Sequence, residues 1–263
     1  MNITHCPNLL LAILLASNFM IGCTNDKNPN NPVLSNLVTP EDRESYELIK
    51  VQRPTSIDEY FKVFRWPYEM CVALADLKKL PVKPFSPIPK DFVLTRTTVT
   101  SDGKSFRTKE EGFGVNLDGM SPENGCETKF QSSSHSWVEH NGFQSVLGPD
   151  ATENDEDGPV EIQMMPYSGS AAASYPISKK INGISVKCTD GGDLLVAAKA
   201  VDEICILDPA MGRIAMADGK PPVVYMREAP GTSMYGTVMV HEPISLKIGI
   251  KVNSEIFVNE NAK

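Results

Sequence analysis

After its first 23 residues the chain has no run of 18 apolar residues, so no later segment reads as a helix that crosses a bilayer. It is also short of positive charge. Lys and Arg number 25 against 33 Asp and Glu, a formal net charge of −8. With a pI near 5.1, that balance argues against nucleic acid or anionic headgroups as charge-driven partners and suits a basic protein better. No Cys-x-x-Cys occurs, which argues against a redox motif or a zinc ribbon. Nucleophile signatures are missing too. There is no Gly-x-Ser-x-Gly, and neither Tyr167-Ser168-Gly169-Ser170 nor Gly231-Thr232-Ser233-Met234 forms an elbow. Ser101-Asp102-Gly103-Lys104 matches Ser-x-x-Lys in letters but lies in a hairpin turn without companion motifs, and no glycine loop for phosphate is present. These absences predict a non-enzyme with no cofactor and no metal.

What is present begins with residues 9–23, LLLAILLASNFMIGC. The apolar part has the length of a secretory h-region and is too short to span. Its end, Met20-Ile21-Gly22-Cys23, resembles the lipobox of bacterial lipoproteins. Ile21, Gly22 and Cys23 fit that pattern, Met20 stands where Leu is commoner, and residues 1–8 contain no Lys or Arg. The resemblance covers these 23 residues only. It implies a signal peptide over residues 1–22, a diacylglycerol on the Cys23 sulfur, and an anchor of two or three acyl chains. At about 0.8 kcal/mol per buried methylene, such an anchor is effectively permanent. Thr24 follows the cysteine where Asp would resemble an inner-membrane retention signal, so the resemblance implies the outer membrane, facing the periplasm. An ordinary cleaved signal, or an apolar segment of a cytosolic protein, is the competing reading.

Removal of 22 residues leaves 241 of 263, enough for one large domain or two modest ones. Four cysteines then remain besides Cys23: Cys71, Cys126, Cys188 and Cys205. In an oxidising compartment they are compatible with two disulfides in three connectivities, with Cys188–Cys205 preferred as the short loop; four buried thiols are the alternative.

Residues 23–38 read as the lipidated cysteine and an Asn- and Pro-rich tether. Residues 39–90 read as a helical segment. Thr39 caps and Pro40 opens a first helix to about Lys50, and Ser56-Ile57-Asp58-Glu59 is a capping box for a second. Behind that box Ile57, Tyr60, Phe61, Phe64, Tyr68, Cys71, Val72 and Ala75 keep a helical spacing, most simply a core face, with a kink or restart at Pro67. Pro81, Pro84, Pro87 and Pro89 make an extended connector. Residues 91–263 read as a mostly antiparallel β body. Residues 92–100 and 105–109 form a hairpin around Asp102-Gly103, and short strands fall at 160–164, 184–188 and 223–226. Residues 194–207 lean to strand. The clearest strand alternates Ile244, Leu246, Ile248, Ile250 and Val252 against polar neighbours. The predicted fold class is α+β: N-terminal helices packed on a mostly antiparallel sheet, with long loops.

Two clusters are candidates for partner binding. His135-Ser136-Trp137-Val138-Glu139-His140 invites a zinc reading, but its spacing is one residue longer than His-x-x-Glu-His, and the flanking Ser-rich and Asn-Gly segments favour a loop or hairpin. His135, Trp137 and His140 are then contact residues, with Trp137 either an exposed anchor or a core plug. Glu153, Asp155, Glu156 and Asp157 imitate a calcium loop, yet Pro159 and Met164 occupy its seventh and twelfth places, so the segment reads as an acidic surface for a basic partner. The sequence therefore predicts a membrane-tethered, protein-binding lipoprotein. The classes are an immunity or inhibitor protein acting on a toxin in the periplasm, a structural or assembly lipoprotein of an envelope or secretion complex, and, least favoured, a lipid-anchored hydrolase.

Overall fold

The computed structural model describes residues 43–147, 160–162, 164–165, 167–189, 201–231 and 235–258. Cys23, the tether, the acidic residues Glu153, Asp155, Glu156 and Asp157, Ser233 and residues 194–200 lie outside them.

The α+β expectation is overturned. The described residues form one antiparallel sheet of eleven strands accompanied by a single α-helix. In chain order the elements are β1 (Tyr46–Pro54), α1 (Ile57–Leu77), β2 (Thr95–Ser101), β3 (Phe106–Asn116), β4 (Lys129–His140), β5 (Phe143–Leu147), β6 (Val160–Glu161), β7 (Ile177–Ile181), β8 (Ile184–Thr189), β9 (Val201–Leu207), β10 (Val223–Glu228) and β11 (Met239–Ile248). Across the sheet the order is β6-β5-β4-β3-β2-β1-β11-β10-β9-β8-β7.

The first predicted helix is instead β1, a central strand. Tyr46 and Leu48 alternate inward and are fully buried, while Glu47 turns outward to Lys247 at 2.7 Å. A period of two is the pattern of a strand with one face covered. The capping letters at 39–42 are local, whereas β1 is held by β2 on one side and by β11, some 200 residues away, on the other. Consequently the N-terminal segment is not helices alone; α1 packs on the sheet, but β1 supplies the strand that joins its two halves.

α1 begins where its capping box places it, with Ser56 Oγ accepting from Glu59 N–H at 3.3 Å. It runs as one element through Pro67, which forfeits one backbone hydrogen bond. Its buried face is the one the spacing marks, with Tyr60, Phe61, Cys71 and Ala75 inside. Phe61 and Phe92 meet edge-on at 4.9 Å, and Tyr60 lies 4.7 Å from Tyr235. Val115 of β3 and Met239 of β11 complete this cluster. A second core, containing Tyr46, Leu48, Phe106, Val186 and Leu207, lies against the middle of the sheet.

Four cysteines form two disulfides. Cys188 and Cys205 face each other in register on β8 and β9, with Cα atoms 4.0 Å apart. Cys71–Cys126 ties α1 to the loop before β4. Both pairs are buried.

Other strands differ in extent. β6 is two residues long, and β11 ends at Ile248, leaving Ile250 and Val252 beyond the ladder. Between Ile49 and Lys50 the register with β11 skips Ile244, whose side chain is exposed. Alternation across 244–252 therefore marks a strand broken by a bulge at one end and Gly249 (φ 68°) at the other.

Candidate functional site

Residues 135–140 occupy the last half of β4, and the hairpin they enter turns through Asn141 (φ 53°) and Gly142 (φ 81°). Of the loop and the hairpin expected here, the structure forms the hairpin. Pairing with β3 and β5 along this stretch holds it extended. Because strand side chains alternate, His135 and Trp137 share one face and His140 takes the other, so the two histidines cannot converge on one ion. Trp137 is partly buried; His135 is exposed and stacks on it at 5.5 Å and 19°.

From His135 a polar row crosses the sheet in register: His135 on β4, Glu110 on β3, Thr97 on β2 and Lys50 on β1. His135 Nε2 lies 3.8 Å from Glu110 Oε1. Lys50 Nζ donates to the Val223 carbonyl at 3.1 Å. Burial lowers the Lys50 pKa, and the Glu110 charge opposes that shift. Burial, then the Lys50 charge, lowers the His241 pKa to about 4, so His241 is neutral at pH 7.

His140 faces a different neighbour. Ser105 Oγ and His140 Nδ1 are 2.6 Å apart, joining the β2–β3 and β4–β5 hairpin tips at one edge of a cavity of about 850 Å³. Lys104, Glu161 and Met164 are also in its wall. The arrangement puts a hydroxyl on an imidazole, the first requirement of a nucleophile–base pair. Asp102 does not orient the imidazole, because its Oδ1 accepts from Lys104 N–H at 2.9 Å and Ser105 N–H at 2.7 Å. Among the described residues no carboxylate bonds the ring, which instead stacks parallel to Phe257 at 6.4 Å. As it stands, the contact is a lock between two turns.

Next to it on β4, Glu139 has a buried Oε2 without a hydrogen-bond partner among the described residues, as does Arg43 Nε. Burial, with the Asp218 charge second, raises the Glu139 pKa. Cys188, Glu203 and Cys205 also lie close together, but both sulfurs are spent in the disulfide and cannot serve as thiolate ligands.

No protein-family model, curated protein or solved structure matches this chain.

The most unusual surface is on α1. Opposite its buried face, Val63, Trp66, Met70, Leu74 and Leu77 point to solvent; Trp66 is 67% exposed and Leu77 82%. At 100° per residue these positions, with exposed Ala73, fall within an arc of roughly 100°. Scattered exposed apolar residues are ordinary, but a contiguous stripe along a 21-residue helix marks a contact surface. The sequence carries this signal, since a helix apolar on two faces has one more face than its own core uses. The aromatic residues of the inner face, however, dominate the pattern. Among the described residues no helix is long and apolar enough to cross a membrane.

Proposed function

We propose that this protein is a lipid-anchored component of the cell envelope that acts by binding protein, with the outer face of α1 as its contact surface. The observation that carries the reading is the exposed stripe of Val63, Trp66, Met70, Leu74 and Leu77. Trp is the residue most enriched at interface hot spots, and the rigid helix beneath it is held by the aromatic core and the Cys71–Cys126 disulfide. Long-lived interfaces are more apolar than transient ones. The stripe therefore supports an assembly or structural role over rapid capture of an arriving toxin. Residues 9–23 support the membrane end, with Cys23 acylated and the body facing the periplasm from the outer membrane.

The test uses the chain expressed with its first 23 residues and purified from membranes beside a Trp66→Glu variant. Stoichiometric retention of protein by the parent and its loss from the variant is the expected result. Equal retention by both removes α1 from the proposal. Cys23→Ala should release the protein from membranes; a variant that stays bound defeats the anchor.

A further inference from the structure

We infer that the occupant of the α1 face is α1 of a second copy, packed antiparallel across a two-fold axis. The inference rests on the protein-binding reading and names its partner. The spacing selects a helix: Val63, Met70 and Leu77 recur every seven residues, with Trp66 and Ala73 between them. That is the seam into which the knobs of a second helix fit.

Charge selects the same helix in reverse. Asp58 and Glu59 lie in the first turn, and Lys78 and Lys79 follow the last. A parallel pair would set like ends together. An antiparallel pair whose axis passes between Trp66 and Met70 sets Glu59, on the seam, beside Lys78 of the other copy at both ends. The same register sets Lys62 beside Asp76. Asp76 has no ion pair among the described residues, while Lys62 pairs with Glu59 at 2.6 Å and Lys78 with Glu123 at 2.7 Å within one copy, exposed pairs that the second copy's charges extend. Packing agrees with charge, because each Trp66 indole then meets a Met70 thioether, a favourable sulfur–aromatic contact, and Val63 meets the small Ala73. Glu69 alone faces its own copy, across the axis.

The area is sufficient. The five exposed side chains present on the order of 500 Å² of apolar surface. Two copies then bury on the order of 1,000 Å², the threshold for a specific interface. An isologous contact closes on itself and leaves no free stripe to propagate.

The test is sedimentation velocity on the purified full chain from about 1 to about 100 µM, with cross-linking and vesicle flotation alongside. A reversible dimer is expected. Trp66→Glu should raise its dissociation constant at least tenfold, and Glu69→Gln should lower it by removing the like charge at the axis. Under mild oxidation Glu69→Cys should give a covalent dimer that neither the parent nor Lys104→Cys gives. Since Trp66 and Glu69 are exposed, the variants keep their fold, which unchanged far-ultraviolet circular dichroism verifies. A monomer at the highest concentration, without the cross-link, overturns the inference. If that monomer still retains another protein through Trp66, the protein-binding reading stands and only the second copy fails. If it floats with vesicles through Trp66, or Trp66→Glu changes nothing, both fail.

Discussion

The hydroxyl of Ser105 and Nδ1 of His140 stand 2.6 Å apart, so one hydrogen bond joins two hairpins whose strands are separated in sequence by the loop from 117 to 128. Ser105 is nearly fully buried. Removing its hydroxyl leaves an imidazole nitrogen unpaired beside Phe257. Ser105→Ala should cost about 1–2 kcal/mol, read as a lower urea midpoint at unchanged slope. A fluorophosphonate probe tests the chemistry of the pair separately: a lock leaves Ser105 unlabelled, whereas stoichiometric labelling at Ser105 would bring the hydrolase class forward.

The two disulfides should differ in worth. Cys71–Cys126 closes a separation of 55 residues and Cys188–Cys205 one of 17. Loop-closure entropy then predicts about 4 kcal/mol for the first and about 3 kcal/mol for the second. Paired Ala substitutions, compared by denaturant melts, should preserve that order. Loss of the first should also speed amide exchange in the C-terminal turns of α1, because Cys71 anchors that end against Cys126.

Acid should weaken the fold through His241. Its folded pKa, about 4, lies below the unfolded value near 6.5. Between these values the unfolded chain binds more protons, so stability rises with pH across that window. The neutral form's contribution is complete above pH 6.5 and is lost as pH falls through about 4, by up to about 3 kcal/mol. His241→Gln should flatten the melting midpoint over that range. Lys50→Met removes a positive neighbour and should raise the His241 pKa, which NMR titration of the ring reads directly.

Phe61 is fully buried in the aromatic cluster under α1, with Tyr60 at 5.0 Å and Phe92 at 4.9 Å. Phe61→Ala should cost about 3–5 kcal/mol. Trp66→Ala, five residues along the same helix but 67% exposed, should leave the thermal midpoint of the dilute monomer within experimental scatter and alter only binding.

Much of the local structure is legible in the residues. Asp102-Gly103 turns as its chemistry demands. Gly103 sits at φ 93°, where an added Cβ would stand 2.6 Å from the Arg43 carbonyl. The strands at 184–189 and 223–228 and the start of α1 at Ser56 also follow from nearby side chains. β1 does not. Tyr46-Glu47-Leu48-Ile49 satisfies a short helix or a strand equally, and β11, which decides between them, is nearly 200 residues distant. The candidate site was legible in part. His135, Trp137 and His140 were marked by composition, but only strand pairing shows that alternation parts His140 from the other two and gives it to Ser105.

The sequence by itself determined the acidic character, the apolar run at 9–15, the turns, the cap of α1 and the even set of cysteines, because each depends on residues close together or simply counted. Only the tertiary structure decided that β1 is a central strand, that Cys71 joins Cys126, and that nothing among the described residues covers the second apolar face of α1. Those outcomes depend on long-range pairing, and a helix with two apolar faces can bury only one against its own sheet.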